Sequence, residues 1–501
     1  MTGADGGCDK VVKMPEGNMR GRPQRSTPGG STRVRGRARS VLRPSGPPTM
    51  PIAVRGGSDY VSEWHTRAVI DFCLRLGEAM LVTGASVADT TAALLRVCRA
   101  YGLSSVHVDI TYTSVTLSMH RGVHRDPITV MRIVRSMGTD YSRLEALHSL
   151  VREIGASGGE PVDIEDNLGE LERILEMPHS YRRGVVTAAW GLMGAGVAML
   201  LGGGLMMILI SGIATALIDY VQVRFARMGL STFFGQVIGA TIAAGIAVAL
   251  IVIRDHTGGI WWLAQVRPSI VVASSIVVLL AGMSVVTAAQ DTLDGFYLTA
   301  GARTYEVMLL TGGVVAGVLL VLSLARRIGV NLYVIPSDGL AQNVVVQILA
   351  GALLGGAFAV SAYCAPRAVL VSIVTGGVSW LLFATFNILG GTSQPVASGI
   401  ATFLIGCAAP TVARRLHVPS IAVTAASIVP LLPGLAVYKG IMYFVTDNED
   451  NNWVDSFLLA MLVGLALSVG VSLGTLLGRQ ISAGADSLTS KVLRRTVQQT
   501  D

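Results

Sequence analysis

The pattern of hydrophobic and polar residues changes at about residue 184. From there to residue 478, long apolar stretches follow one another with short polar breaks. A helix needs about 20 residues to cross the apolar core of a bilayer. Since every backbone polar group in a bilayer must be paired internally, these stretches are expected to be helices. We predict ten of them, near residues 185–201, 205–222, 232–253, 269–288, 305–325, 341–361, 368–388, 395–411, 419–442 and 455–477.

Residues 59–183 have the pattern of a small soluble α/β domain. Apolar residues at helical spacing up to Met80 predict a helix that stops at Gly84, and Ser86 is the expected N-cap of a second helix. Residues 106–120 alternate apolar and polar side chains and are rich in β-branched residues, which predicts a hairpin turning near 112–114. Two further helical patterns follow, at 140–155 and 163–177.

Composition supports a membrane protein over a soluble enzyme. The 501-residue chain is 51% hydrophobic and only 14% charged, whereas a soluble chain has about 25% charged residues. The net charge of +7 comes from residues 1–58, which hold 11 Lys/Arg and 3 Asp/Glu. We therefore predict a disordered basic leader and no nucleic-acid partner. The expected domains are 1–58, 59–183, 184–330 (membrane half 1), 331–478 (membrane half 2) and a tail, 479–501.

A short internal repeat connects the two membrane halves. Residues 273–283 (ASSIVVLLAGM) match residues 425–435 (AASIVPLLPGL) at seven of eleven positions, including the pairs Ser275/Ser427 and Gly282/Gly434. The copies fall in the fourth and ninth helices, five helices apart. An odd number of helices per half predicts two inverted five-helix repeats, an arrangement found in secondary transporters. Chance similarity of two apolar stretches is the alternative.

Positive charges favour an orientation with both termini in the cytoplasm. With the soluble domain inside, ten Lys/Arg lie near the inner ends of the predicted helices and five near the outer ends. Short cytoplasmic loops generally carry this excess.

Prolines in the ninth helix mark a candidate substrate site. Pro430 and Pro433 each remove a backbone hydrogen bond, and with Gly434 they predict a broken helix. Freed carbonyls and half-helix ends bind substrates in such transporters. Lys439 follows the break and could meet a substrate carboxylate; the alternative is that it reaches the membrane interface. The first half has no prolines at the matching positions, so a break is expected in the ninth helix alone.

Charged residues near the fourth and fifth helices are candidates for proton coupling. Asp291 and Asp294 lie in QDTLDG, and Arg303 and Glu306 are three residues apart, close enough to pair with each other or with these aspartates. The alternative is an ordinary cytoplasmic loop. Further polar residues at helix depth either line a pathway or bond between helices: Asp219, Gln236, Asn343, Gln347 and Asn387.

Motifs for other activities are missing from the sequence. It contains no GxxxxGK[ST] loop, HExxH pair or GxSxG elbow, and its five cysteines form no CxxC pair. We therefore predict no cofactor, no metal and no enzymatic activity. A membrane-anchored enzyme in residues 59–183 is disfavoured because the histidines there have no ligand spacing.

Several separated blocks resemble the threonine/serine exporter (ThrE) family of bacterial inner-membrane proteins. They are LGEAMLVTGASVADT (76–90), YGLSSVHVDITYTSVTLS (101–118), STFFGQVIGATIA (231–243), ASSIVVLLAG to GARTYE (273–306), LLTGGVVAGV (309–318) and SIVPLLPGLAVYKGIMY (427–443). The resemblance implies ten membrane helices, a cytoplasmic N-terminal domain, and export coupled to the membrane potential or proton gradient. The matching family positions are Asp291, Gly295, Arg303, Glu306, Pro430, Pro433, Gly434, Tyr438 and Lys439.

The resulting hypothesis is a plasma-membrane antiporter that exports L-threonine and L-serine. Its partners are the amino acid, the proton and membrane lipid, and homo-oligomers are left open. Exporters of small dicarboxylates such as succinate, and a passive channel with a ligand-sensing cytoplasmic domain, are the alternatives. The expected substrate residues are Ser275, Gly282, Ser427, Pro430, Pro433, Gly434, Tyr438 and Lys439, and the expected proton-coupling residues are Asp291, Arg303 and Glu306.

Overall fold

A computed structural model gives the fold of most of the chain. It describes residues 63–121, 125–135, 138–156, 163–256, 267–280, 282–329, 340–416, 418–445 and 452–497. The predicted basic leader, 1–58, lies outside the described residues.

The predicted soluble domain consists of four helices and a small sheet. Its elements are α1 (Glu63–Val82), α2 (Val87–Ala100), β1 (Val106–Ile110), β2 (Ser114–Met119), β3 (Ile128–Ile133), α3 (Tyr141–Ala156) and α4 (Ile164–Glu176). The sheet is antiparallel in the order β1-β2-β3. The predicted hairpin and four helices are confirmed, but the third strand was not predicted. Apolar side chains on both faces of β3 obscure the alternation, and Val130, Met131 and Ile133 are exposed.

Local signals explain where the first two helices end and begin. The chain leaves α1 through Gly84, whose φ of +99° is a conformation that favours glycine. Ser86 then caps α2, because its Oγ accepts a hydrogen bond from the backbone N–H of Asp89 at 3.0 Å. Helix and sheet meet in a buried core that includes Leu76, Leu94 and Leu117.

Within the described residues, ten helical spans are long and apolar enough to cross a membrane. Eight spans contain one α-helix each: α5 (Arg183–Leu200), α6 (Leu205–Arg227), α7 (Thr232–His256), α10 (Tyr297–Arg327), α11 (Val344–Ser361), α12 (Pro366–Ala384), α13 (Gln394–Leu416) and α16 (Asn452–Val497). The span of α12 ends in a π-helical segment, Thr385–Leu389. The fourth span is divided into α8 (Pro268–Leu279) and α9 (Gly282–Leu293), and the ninth into α14 (Ser420–Ile428) and α15 (Gly434–Val445). Large apolar side chains cover their outer surface, for example Leu205, Leu209 and Ile213 along one face of α6.

The break in the ninth span is confirmed. Helix α14 ends at Ile428, a 3₁₀ turn spans Val429–Leu431, and Leu432 is extended with ψ of 141° before α15 begins. Pro430 and Pro433 supply no N–H here, so the α-helical hydrogen bonds cannot continue.

The expectation that the fourth span is continuous is wrong. Leu280 leaves the helix with ψ of 134°, and the N–H of Gly282 donates to the Leu280 carbonyl at 2.7 Å. The side-chain amide of Gln236, from α7, donates to the carbonyl of Leu279 at 3.2 Å. A side chain thus replaces a lost backbone partner, so tertiary contacts support this break without a proline.

Glycines let the same pairs of helices approach closely in both halves. In the first and second helices of each half, Gly191 contacts Gly212 and Gly351 contacts Gly376. A Cβ at Gly317 on α10 would overlap the carbonyl of Val237 on α7. In the second half, glycines of α16 contact α13 in the same way, at Gly470, Gly474 and Gly478. Small residues at such contacts drive helix association in membranes.

The soluble domain is fastened to the ends of the membrane helices. The backbone N–H of Tyr141 donates to the carbonyl of Ala362 at 3.0 Å. His179 stacks on Tyr363 with ring centroids 4.6 Å apart and lies 2.9 Å from the carboxylate of Asp140. The buried core of the soluble domain also continues into membrane residues such as Ile405. The two parts therefore share packed surface.

We expect Gly317→Ala to lower the free energy of unfolding by about 1–3 kcal/mol, because the added methyl overpacks the α7–α10 contact. Gly312→Ala on the same helix is the matched control, since its Cβ meets nothing within 4 Å. Thermal unfolding of the two purified variants in detergent measures the difference. Equal stability of the two variants would show that this contact is not tight.

Candidate functional site

The two broken spans cross each other at their breaks. A Cβ on Gly282 would lie 3.2 Å from the side chain of Leu432, and one on Gly434 would lie 2.8 Å from that of Val277. The contact pairs run in opposite directions along the two spans, so the crossing is antiparallel. Two interrupted helices thus place their irregular backbone side by side inside the bundle.

Several buried hydroxyl groups lie at or near this crossing. Ser275 and Ser427 are both fully buried. Ser427 donates from its Oγ to Thr424, and its carbonyl accepts from the hydroxyl of Ser379 at 2.6 Å. The Oγ of Ser275 and the Oη of Tyr438 have no hydrogen-bond partner within the described ranges. An unpartnered buried polar group costs about 1–3 kcal/mol, so these two hydroxyls are available to a ligand or water.

Tyr438 lies one turn after Gly434 and on the same face of α15. Residues four apart on a helix share a face, and Gly434 faces α8 through Val277. The fully buried Tyr438 ring therefore lies on the side of α15 that packs against the other broken span.

Lys439 and Asp291 are not brought together. Because the crossing is antiparallel, α15 and α9 leave it in opposite directions. At 1.5 Å per residue, Lys439 lies about 7 Å beyond Gly434 and Asp291 about 13 Å beyond Gly282. These residues mark two separate places on opposite sides of the crossing.

Asp291 belongs to a buried ionic cluster. It is in the last turn of α9 and only 3% exposed, so the alternative of an ordinary loop is wrong for this residue. The Nε of Arg303 on α10 lies 3.3 Å from its carboxylate, and the same guanidinium donates to Thr287 at 3.2 Å. Arg303 therefore pairs with Asp291.

The hairpin of the soluble domain completes this cluster. Tyr112, between β1 and β2, donates from its hydroxyl to the carboxylate of Glu306 at 2.5 Å, and the guanidinium of Arg303 lies 5.7 Å from its ring centre. Burial, together with the bond to Glu306, raises the pKa of Tyr112 to about 12, so the hydroxyl stays protonated at neutral pH. Thr299 on α10 also donates to the carbonyl of Ile110 at 3.4 Å. Tyr112 was missed because its one signal in the sequence is a place in a predicted turn.

The polar residues predicted to lie at helix depth divide into two groups. Asp219 and Gln236 line a cavity of about 100 Å³ beside the break in the fourth span. The other three have structural bonds: Asn343 caps α11, Gln347 accepts from Trp380 at 2.9 Å, and Asn387 donates to the carbonyl of Thr392 at 2.9 Å. The cavity also has walls that sequence analysis did not single out, from Trp190, Thr215, Gln222, Val278 and Leu279.

Acidic, histidine and cysteine side chains do not gather into a metal site in the part of the chain that the structure describes, where no group of three or more could hold an ion.

Two protein-family models match the chain, and the gap between their matches lies near the boundary between the two halves. Residues 71–325 match the family described as "Putative threonine/serine exporter", and residues 347–477 match "Threonine/Serine exporter, ThrE". The chain belongs to the threonine/serine exporter family. The first match covers the soluble domain, the break in the fourth span and the ionic cluster, and the second covers the break in the ninth span.

Curated relatives extend over nearly the whole chain. A protein of Mycobacterium tuberculosis named "Probable threonine/serine exporter" is 33% identical over 464 residues, which cover 91% of this chain and 85% of that protein. A "Threonine/serine exporter" of Corynebacterium glutamicum is 34% identical over 458 residues, covering 89% and 90% of the two chains. No solved structure matches this chain. These names do not favour the dicarboxylate or channel alternatives.

We expect Tyr112→Phe to release the hairpin from the membrane helices. The change removes a hydrogen bond to a charged carboxylate, worth about 1.5–3 kcal/mol. Backbone amides between residues 110 and 115 should exchange hydrogen for deuterium faster, by the factor that this loss of free energy predicts. Tyr305→Phe is the control, because that exposed tyrosine lies on the same helix as Glu306. Unchanged exchange at the hairpin would contradict the assignment.

Proposed function

We propose that this protein exports L-threonine and L-serine from the cytoplasm across the bacterial plasma membrane, as an antiporter driven by the proton motive force. The observation that carries the proposal is the crossing of two broken helices with buried, unpartnered hydroxyls at Ser275 and Tyr438. Discontinuous helices near the middle of the membrane bind the substrate in several secondary transporters. The family and the printed names of both relatives support the choice of substrate.

The membrane region is proposed to be two inverted five-helix halves. Three observations support this arrangement: the repeated segment, breaks at corresponding places in the fourth and ninth spans, and glycine contacts that recur between the same helices of each half. The antiparallel crossing of the two matching segments is the relation that inversion requires. Alternating access then follows from movement of one half relative to the other.

Both termini are proposed to lie in the cytoplasm. The distribution of Lys and Arg around the predicted helices supports this orientation. The soluble domain, the hairpin and the ionic cluster then face the side from which the substrate enters.

The substrate carboxylate is proposed to bind at the start of α15. The first backbone N–H groups of a helix have no partner within the helix and carry partial positive charge. Gly434 has no side chain, so a ligand can approach its backbone closely, and Pro430 and Pro433 interrupt the helical hydrogen bonds before it. Lys439 adds a full positive charge further along α15. Tyr438, Ser275, Ser427 and Gly282 complete the surroundings.

The proton is proposed to bind at Asp291. Protonation removes the charge that holds Arg303, and Arg303 can then turn to Glu306, three residues away on the same helix. Since Glu306 currently holds Tyr112, this exchange of partners connects proton binding to the position of the hairpin.

Reconstituted vesicles provide the decisive test. Labelled threonine, serine and succinate are offered to the purified protein with and without a pH gradient, and empty vesicles are the control. We expect threonine and serine to move against their gradients when the pH gradient is present, and succinate to stay behind. Succinate movement without threonine movement, or downhill movement alone, would overturn the proposal.

We expect Asp291→Asn to make threonine efflux insensitive to an uncoupler, because the amide cannot carry the proton. Asp455→Asn, at an exposed position in the first turn of α16, is the matched control and should retain full sensitivity. Efflux from preloaded cells with and without the uncoupler measures both. An Asp291→Asn variant as sensitive as the wild type would remove Asp291 from the proton path.

We expect Lys439→Gln to raise the KM for threonine about tenfold, which is the effect of losing roughly 1.4 kcal/mol from a charged hydrogen bond. The control is Lys491→Gln, beyond the last predicted membrane helix. The same vesicle assay gives both values. An unchanged KM would show that Lys439 does not meet the carboxylate.

A further inference from the structure

The cavity beside the break in the fourth span is built from four membrane helices. Trp190 comes from α5, Thr215, Asp219 and Gln222 come from α6, Gln236 comes from α7, and the end of α8 contributes Val278 and Leu279. In an uninterrupted helix, the carbonyls of these last two residues would be bonded to backbone N–H groups further along. The cavity therefore touches irregular backbone as well as polar side chains.

Both glutamine side chains in the cavity wall donate a hydrogen bond from the amide nitrogen to a backbone carbonyl. Gln236 donates from Nε2 to the carbonyl of Leu279 at 3.2 Å, and Gln222 donates from Nε2 to the carbonyl of Gly235 at 3.0 Å. Gln236 is only 8% exposed, and its Oε1 has no hydrogen-bond partner in the described structure. A buried acceptor is thus left without a donor.

Thr215 and Asp219 add further acceptor oxygens to the wall. Thr215 uses its hydroxyl proton on the carbonyl of Ser211 at 2.8 Å. The carboxylate of Asp219, 8% exposed, accepts one bond from Arg183 at 2.6 Å and one from Thr187 at 2.7 Å. A carboxylate has about four lone-pair positions, so it can accept further bonds.

A wall lined by hydrogen-bond acceptors favours a ligand that has hydrogen-bond donors. Acceptor oxygens of Gln236, Thr215 and Asp219 line the space together with Trp190, a residue type whose ring attracts cations. A primary ammonium group has three N–H donors and a positive charge, which match this wall. A carboxylate has no donor to offer to these acceptors.

We propose that this cavity binds the ammonium group of the transported amino acid. The inference rests on the proposed function and adds the basis of substrate selection. Leu279 lines the cavity and Gly282, three residues later, lies at the crossing. A zwitterion at the break thus places its ammonium group in the cavity and its carboxylate toward the start of α15. A dicarboxylate lacks the group that this cavity recognises.

The test compares ligands that keep or lack the ammonium group, using the full-length protein in detergent. Threoninol keeps the ammonium group but has no carboxylate, whereas 3-hydroxybutyrate has a carboxylate but no ammonium group. We expect threoninol to compete with labelled threonine and 3-hydroxybutyrate to compete far less. Competition by 3-hydroxybutyrate equal to that of threoninol would overturn the inference, and so would equal competition by sodium chloride at the same concentration.

Variants then locate the site. Asp219→Asn and Gln236→Met should each weaken binding of both threonine and threoninol about tenfold, as expected for losing a hydrogen bond to a charged group. Asp455→Asn at the exposed end of α16 should bind both ligands like the wild type. Size-exclusion profiles and melting temperatures show whether each variant is folded.

Gln236→Glu separates ligand binding from support of the break. Glutamate keeps the acceptor oxygen but as a carboxylate cannot donate to the carbonyl of Leu279. We expect this variant to keep most of the affinity for threoninol that Gln236→Met loses. If both variants lose affinity alike, Gln236 only supports the backbone and the inference is wrong.

Failure of this inference can be distinguished from failure of the proposed function. If the wild type neither binds nor transports threonine, the proposed function fails and the cavity proposal fails with it. If the wild type transports threonine while Asp219→Asn and Gln236→Met bind it unchanged, the ammonium site alone is wrong.

Discussion

Backbone polar groups inside a membrane must find partners, and the two broken spans are where this chain meets that constraint by unusual means. At the first break the side-chain amide of Gln236 donates to the backbone carbonyl of Leu279. At the second, the hydroxyl of Ser379 donates to the backbone carbonyl of Ser427. Both donors come from neighbouring helices. The breaks are therefore properties of the assembled bundle, and the bundle must be built around them.

Close helix contacts make that support rigid. Glycines bring the paired helices of each half so near that backbone meets backbone, as at Gly351 and Gly376. At the crossing, Gly282 and Gly434 allow each broken span to rest on the other. The hydroxyl of Tyr438 is a polar group left without a partner in this packed interior. A site on rigid elements keeps its geometry better than one on loops.

Sequence patterns predict this fold well where the signal is local. The length of the apolar stretches predicts the ten spans, and the alternation of apolar and polar residues predicts the β1–β2 hairpin. Ser86 predicts the N-cap of α2, and Pro430 predicts the break in the ninth span. The break in the fourth span escaped prediction because its support, Gln236, is 43 residues away in the chain.

The candidate site shows the same limit more strongly. Individual residues such as Asp291 and Tyr438 can be singled out from the high cost of burying a charge, from the internal repeat and from the resemblance to the exporter family. Arg303 was among the expected partners of Asp291 because the two are near in the chain. The pairing of Tyr112 with Glu306 could not be predicted, since these residues are 194 positions apart. The separation of Lys439 from Asp291 likewise depends on the direction in which two helices cross.

The contact between hairpin and ionic cluster gives the soluble domain a place in the proposed proton coupling. Arg303 can neutralise Asp291 or Glu306, and Glu306 can bind either Arg303 or Tyr112. The proposed proton coupling requires two arrangements of this set, as in other switching elements. The present arrangement joins Arg303 to Asp291 and leaves Glu306 to the hairpin. In the proposed proton coupling, a proton on Asp291 favours the other arrangement, in which the hairpin is released. In that proposal the soluble domain, which also contacts the membrane helices through Tyr141 and Tyr363, senses the charge state of a buried group without entering the membrane.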